Sequence, residues 1–430
     1  MRIDDIICRG IFCAYWLYFY GVRGLLGRVR ALDYLAISLV MLGLMWLAGT
    51  KRLSAKLVGW VSVIMCPLAL AVVYDPSRSG VIFVAKTYLL ALFLASYFKA
   101  MRLTLVECVC FVLPIIVSAY YFVNPRPSDE WQLLQGRMSG IDEPNFTSLF
   151  LIQAMCAAFG LHLITETRRV KVMVIATMLV CLFGVVLTAS RAGLIAALCA
   201  LSLMFFVRRK MYYAGTIVAV ATLLIVLSPG LASRSQPVVV QRFDIQSGEH
   251  DLSMLTNNRN VLAEQAWHDI ERGKWLIGGG PQAVSQWGEH SSFNVPHNSL
   301  LDFGLAFGKA SFYFYGLLLA VLLAVNVRIV IMYRFSGHCQ DKSILLAAVL
   351  FLSLFPMYMS LSGGLAMHFV LWVVLGSYSL FHRPVRFPRV SLEGPRYRRG
   401  SAYRALWFPA RMGGVHLQRR SSPHGVAANS

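Results

Sequence analysis

A dozen apolar stretches, parted by short polar breaks and one long one, make up the pattern of this chain. They fall at 11–20, 34–50, 57–74, 81–98, 104–123, 146–164, 172–188, 192–207, 211–226, 312–332, 343–361 and 365–381. Apart from the short first stretch, each is close to the run of about 17 to 25 mainly apolar residues that an α-helix needs to cross the hydrocarbon of a bilayer. The pattern predicts an all-α integral membrane protein of about 12 transmembrane helices with one large periplasmic loop between late helices. The expected organisation is 1–227 as N-terminal membrane helices, 228–308 as the loop, 309–381 as C-terminal membrane helices and 382–430 as an Arg-rich cytoplasmic tail, read as disordered or lipid-associated.

The long polar break has internal order. From Arg259 to Arg272, Leu262, Ala266 and Ile270 share one helical face and Arg259, Ala263 and Trp267 a neighbouring one, with Asn257 and Asn258 as candidate caps. This reads as an amphipathic helix lying on the bundle or the interface. It is expected to stop at Gly273, where the turn Trp275 to Pro281 carries Gly278, Gly279 and Gly280, residues that let backbone approach another group closely. A further helix is expected from Asn298 to Gly308, with Gly304 and Gly308 spaced for close helix packing.

Composition agrees with the membrane class: 57% of the 430 residues are hydrophobic and 14% charged. The net charge of +20 changes the picture in one respect, because its basic residues are unevenly placed. Lys51, Arg52 and Lys56; Lys99 and Arg102; Arg168, Arg169 and Lys171; Arg208, Arg209 and Lys210; and Arg328, Arg334 and Lys342 fall on alternate connections, which marks that side as cytoplasmic. The tail adds ten arginines against the single acid Glu393 on the same side, so both termini are expected in the cytoplasm of a multi-pass inner-membrane protein. Arg23, Arg28 and Arg30 disagree with this orientation, so either the first stretch lies along the interface or the rule is locally broken. The basic total is thus assigned to orientation and to membrane lipids, and no nucleic acid partner is expected. Nine cysteines without ligand-pair spacing read as core thiols, and no cleaved signal peptide is expected at the N-terminus.

Under this topology 75–80, 124–145, 190–191, 228–308 and 362–364 emerge together on the outer face. Three arginines there are out of place by the positive-inside rule: Arg137, Arg191 and Arg259. A guanidinium suits bidentate capture of phosphate oxygens, so three on one face point to a diphosphate site; a headgroup or carboxylate contact is the alternative for each. His297, next to Asn298, could take a proton from an attacking hydroxyl, or serve only as a helix-start donor. Asp142 and Glu143 are alternative bases on the same face. Lys86, about a turn and a half below the outer surface, and His368, near an outer helix end, are further candidates to line the site, whereas Glu107 is explained by snorkelling. No His, Asp and Glu cluster has metal-ligand spacing, and neither metal nor cofactor is expected.

Arg137-x-x-Gly140 with Pro144-Asn145, then Thr188-Ala-Ser-Arg191-Ala-Gly, Arg259 with Trp267, Gly278-x-Gly280, and His297-Asn298 with Leu301, Gly304 and Gly308 resemble, in order and topology, the O-antigen ligase/polymerase family of bacterial inner-membrane glycosyltransferases. The resemblance covers roughly 137–327. It implies transfer of a glycan from a polyprenyl diphosphate donor to a sugar hydroxyl, without metal or nucleotide sugar. On that analogy Arg191 and Arg259 hold the diphosphate, Arg137 assists and His297 activates the acceptor, with Asn145, Gly278, Gly280 and Asn298 as further binding positions. The acceptor is a second lipid-linked glycan for a polymerase, which is the leading reading for an exopolysaccharide or O-antigen, or lipid A-core for a ligase. A protein-directed transferase is disfavoured by the modest outer loop. A flippase or transporter for the same anionic lipid is the reading from another class; it would place weight on Lys86 and midplane groups and is disfavoured by the lack of an internal repeat.

Overall fold

The computed structural model describes residues 3–18, 30–50, 52–74, 78–100, 110, 113–125, 138–140, 143–164, 167–208, 259–276, 278, 298–336, 342–360 and 366–381. Among these the chain is helical throughout, with no strand. In order the helices are α1 (Ile3–Trp16), α2 (Arg30–Gly49), α3 (Ala55–Tyr74), α4 (Arg78–Ala100), α5 (Leu113–Val123), α6 (Pro144–Ile164) and α7 (Arg168–Leu187). There follow α8 (Arg191–Val207), α9 (Arg259–Arg272), α10 (Ser299–Phe307), α11 (Lys309–Ser336), α12 (Lys342–Tyr358), α13 (Ala366–Gly376) and α14 (Tyr378–Phe381). Five described spans, Ala55–Val73, Gly80–Tyr97, Pro144–Leu163, Arg168–Leu187 and Lys309–Phe335, are long and apolar enough to cross a membrane. Shorter apolar helices stand beside them at Leu35–Gly49, Leu113–Val123, Arg191–Val207 and Lys342–Tyr358. The stretch expected at 211–226 lies outside the described residues, as do Glu107 and the tail.

Position in the bundle follows from which faces are covered. The α6 span is 78% buried and forms the centre, packed by α5, α7, α8 and α12. The α7 and α11 spans are only 22% and 28% buried. Their uncovered faces carry Met173, Leu179, Phe183, Leu317 and Phe335, an apolar surface that only a lipid environment makes favourable. Inside, Phe12 of α1 stacks on Tyr97 of α4 at 4.4 Å, and Phe351 of α12 on Trp372 of α13 at 4.5 Å. Cys8, Cys156 and Cys181 are buried thiols as expected, but Cys66 is exposed on α3.

Two contacts fix how the helices alternate. Arg208, after α8, meets His162 near the C-terminus of α6 at 2.6 Å, and the Lys342 ammonium donates to the Leu163 carbonyl. The C-terminal ends of α6 and α8 therefore meet the N-terminal end of α12, which runs antiparallel to both. The expected first helix begins earlier than its apolar stretch. Asp4 and Asp5 belong to the first turn of α1, and Asp5 pairs with Arg52 at 2.6 Å, beside the connection that follows α2.

Candidate functional site

Pro144 occupies the first turn of α6, where its missing N–H costs nothing, and Asn145 follows it. On the neighbouring helix pair, α7 stops at Leu187 and α8 starts at Arg191, so the chain reverses within Thr188, Ala189 and Ser190. Ala189 is the only non-glycine with positive φ among the described residues, at 48°, and is buried. Ser190 caps α8: its hydroxyl accepts the Gly193 N–H at 3.1 Å and donates to Asn145 Oδ1 at 2.9 Å. One hydroxyl thus ties the first turn of α8, and Arg191 with it, to the first turn of α6.

Beneath this link the two helices touch without intervening bulk. Ser148 Oγ shares a hydrogen bond with Thr188 Oγ1 at 2.6 Å, and a Cβ on Gly193 would lie 2.6 Å from Ser148. Glycine is what allows α8 to approach α6 so closely. The loop before α6 is docked on the same corner: Met138 N–H bonds the Leu187 carbonyl at 3.2 Å, and Gly140 N–H bonds Thr147 Oγ1 at 3.1 Å. Gly140 has no room for a side chain there, since a Cβ would meet Thr147 at 2.6 Å and Ser118 at 2.9 Å. Arg137, Asp142, Gly280 and His297 lie outside the described residues.

A second wall is built from the amphipathic helix. The expected face of α9 is buried: Leu262, Ala266 and Ile270, the last two packing on Leu301 of α10. Trp267 lies 5.1 Å from Phe312 on α11. After α9 the backbone is stitched to the start of α11, Ala310 N–H bonding the Trp275 carbonyl at 2.9 Å. Gly278 then passes over the end of α10 so closely that a Cβ would stand 2.3 Å from the Ala306 carbonyl carbon and 2.4 Å from the Leu305 oxygen. The close approach expected of this glycine is to protein backbone. Gly304 packs as expected, against Ile270, whereas Gly308 is a helix C-cap with φ of 89°. Asn298 is the N-cap of α10, accepting the Leu300 and Leu301 N–H groups at 2.9 and 3.3 Å.

His368 joins the two walls. Its ring lies 6.0 Å from Phe150 of α6, and the next residue, Phe369, packs 4.7 Å from Phe303 of α10. Phe150 and Phe303 are each five residues past the asparagines at the starts of their helices, about 7.5 Å along the axis. The N-termini of α6, α8, α10 and α13 consequently gather at one end of the bundle. Ser190 and Asn298 cap the α8 and α10 ends with their own oxygens, and the positive dipole ends of the four helices, with Arg191 in the first turn of α8, favour negative charge there. Arg259 opens α9, which packs on α10 of this group. Lys86 is half-buried on α4, and no described contact joins it to Asn145, Arg191 or Asn298. The roles of Ser190, Ser148 and Thr188 were not legible from spacing, because each is a common small polar residue until the helices bring them within hydrogen-bond distance.

Residues 176–320 match the family model described as O-antigen ligase, a stretch that includes α8, α9, α10 and most of α7. No curated protein matches the chain.

Proposed function

We propose, from the match of residues 176–320 to the O-antigen ligase family model, that the chain is a membrane glycosyltransferase of the ligase and polymerase type that moves a glycan from polyprenyl diphosphate to a sugar hydroxyl, and that it does so as a polysaccharide polymerase. The observation that carries the reading is Arg191 in the first turn of α8, tied through Ser190 to Asn145, where several helix N-termini meet. That arrangement suits a diphosphate. As the bond between the anomeric carbon and the diphosphate oxygen breaks, negative charge builds on the leaving group, and a fixed guanidinium and helix dipoles stabilise it. A bond forms from the acceptor oxygen to the same carbon, and its proton passes to a base. His297, one residue before the α10 cap, is the base in this reading; Asp142 and Glu143 are the alternatives. Arg137 and Arg259 assist at the diphosphate, and His368 lines the way to it. No metal is required in this scheme, since arginine supplies the charge stabilisation.

A polymerase receives both substrates on the same kind of carrier, which suits a chain whose one long polar interval is 228–308. The ligase, which would use lipid A-core as acceptor, is favoured by the description of the matched family. Purified protein, a polyprenyl diphosphate-linked repeat unit and a chelator separate them. Growth of lipid-linked chains that falls about 10²- to 10³-fold in Arg191→Ala and about 10²- to 10⁴-fold in His297→Ala supports the polymerase. Arg191→Lys keeps the charge but not the fork, and is expected to fall between wild type and Arg191→Ala. Glycosylation of added lipid A-core without chain growth selects the ligase. Neither product, with labelled lipid crossing a reconstituted bilayer, means a transporter and overturns the proposal.

A further inference from the structure

Where α6 ends, the chain gathers cations at one level of the bundle. Arg208, the C-cap of α8, brings its guanidinium to the His162 ring at 2.6 Å. The ammonium of Lys342, the first residue of α12, donates to the carbonyl of the neighbouring Leu163. His162 lies in the last turn of α6 and Leu163 closes its apolar span, so both cationic heads stand at the depth of lipid headgroups. α7 starts at once beyond this point, with Arg168, Arg169 and Lys171 in its first turn. Arg334, in the last turn of α11, lies over the Phe206 ring of α8 at 5.5 Å.

Helix capping explains part of this corner and leaves part over. Cations suit the carbonyl ends of α6 and α8, and Lys342 and Arg208 serve there. The N-terminus of α7 calls for the opposite charge, yet its first turn carries bases and no acid. Thr167, its N-cap, makes no side-chain hydrogen bond to the N–H groups of that turn. Bases beside a helix N-terminus repel its dipole unless an anion lies between them, and guanidinium forks with backbone N–H groups are the donors that phosphate oxygens accept. Across 165–171, 208–210 and 334–342 eight lysines and arginines stand with two acids, Glu166 and Asp341, so the chain itself supplies less negative charge than positive.

We infer that this corner binds the phosphate of an anionic phospholipid from the adjoining leaflet, held by Arg208, Lys342 and the first turn of α7. A lipid brings phosphate to the depth of these cations at high local concentration, which an ion from water does not, and basic pockets between membrane helices suit such headgroups. The corner is about 27 Å along α6 from Asn145, at the end that the basic connections mark as cytoplasmic, so it is separate from the candidate site at Ser190 and Arg191. A headgroup there joins the ends of α6, α7, α8 and α12, and binding to the packed bundle alone stabilises it.

The test follows thermal unfolding of the full chain in detergent as phosphatidylglycerol, phosphatidylcholine or inorganic phosphate is added. Phosphatidylglycerol is expected to raise the midpoint saturably, and phosphatidylcholine to leave it unchanged. In Arg208→Gln/Lys342→Gln the phosphatidylglycerol concentration for half the shift is expected to rise about tenfold. Lys51→Gln/Lys56→Gln removes the same charge from another connection on the same side and is expected to move it less than about twofold, because exposed charge acts within a Debye length. Equal losses in the two variants mean a diffuse basic surface and overturn the inference. An equal shift with inorganic phosphate at the same concentration overturns the lipid assignment. A second measurement needs no variant: in nanodiscs, phosphatidylglycerol with a photoreactive headgroup is expected to label peptides covering 159–171 and 204–210 ahead of the connection at 50–56. Even labelling of these regions also sinks the site.

Discussion

Ala189 shows how much a single residue is constrained here. A side chain at φ 48° costs about 1 to 2 kcal/mol, and the chain accepts it because Thr188 and Ser190 must end one helix and cap the next within three residues. Ala189→Gly removes the strain and adds unfolded-state entropy, so unfolding in detergent should show a gain of roughly 0.5 to 1 kcal/mol, whereas Ala189→Val should lose stability. A lower midpoint for the glycine variant would mean that the positive φ is not borne at a cost. The motif Thr188-Ala-Ser-Arg191 was legible as a hairpin bearing an arginine. The hydrogen bond from Ser190 to Asn145 was not, since the two residues are 45 apart in sequence and nothing local pairs them.

Among the elements, α9 and α10 illustrate two different uses of glycine. Gly278 faces backbone atoms that cannot move away, and Gly304 faces the flexible end of Ile270, 2.5 Å from where its Cβ would stand. Gly278→Ala is therefore expected to displace the segment after α9, costing about 1 to 3 kcal/mol and most of the transfer activity. Gly304→Ala should cost about 1 kcal/mol or less, and Ile270→Val, which shortens the obstructing side chain, should recover part of it in a double-mutant cycle. Equal costs at the two positions, or no coupling between 304 and 270, would contradict this account. The amphipathic period of α9 announced which face it buries. What it buries that face against, Leu301 and Phe312, required the fold.

For the whole molecule, the bundle collects the first turns of α6, α8, α10 and α13 at one end, the end that the basic connections predict to be outside. In a cysteine-free background, Gln246→Cys should react with a membrane-impermeant maleimide added to intact cells stripped of the outer membrane, and Gln340→Cys only after the inner membrane is opened. The reverse pattern would turn the protein over and put this end of the bundle on the cytoplasmic side. By itself the sequence determined the membrane class, the ranges of most described helices to within a few residues, the amphipathic helix at Arg259–Arg272 and the arginine and asparagine positions around which a site could form. Hydrophobic length and helical period are local properties, and a bilayer makes them decisive. Only the tertiary structure decided that Asn145 meets Ser190, that His368 joins α6 to the α10 wall and that Arg208 and Lys342 meet the end of α6. Those facts depend on which helix faces lie opposite one another, and in an apolar solvent that choice is made by small-residue packing and a few buried hydrogen bonds, which carry no periodic signal along the chain.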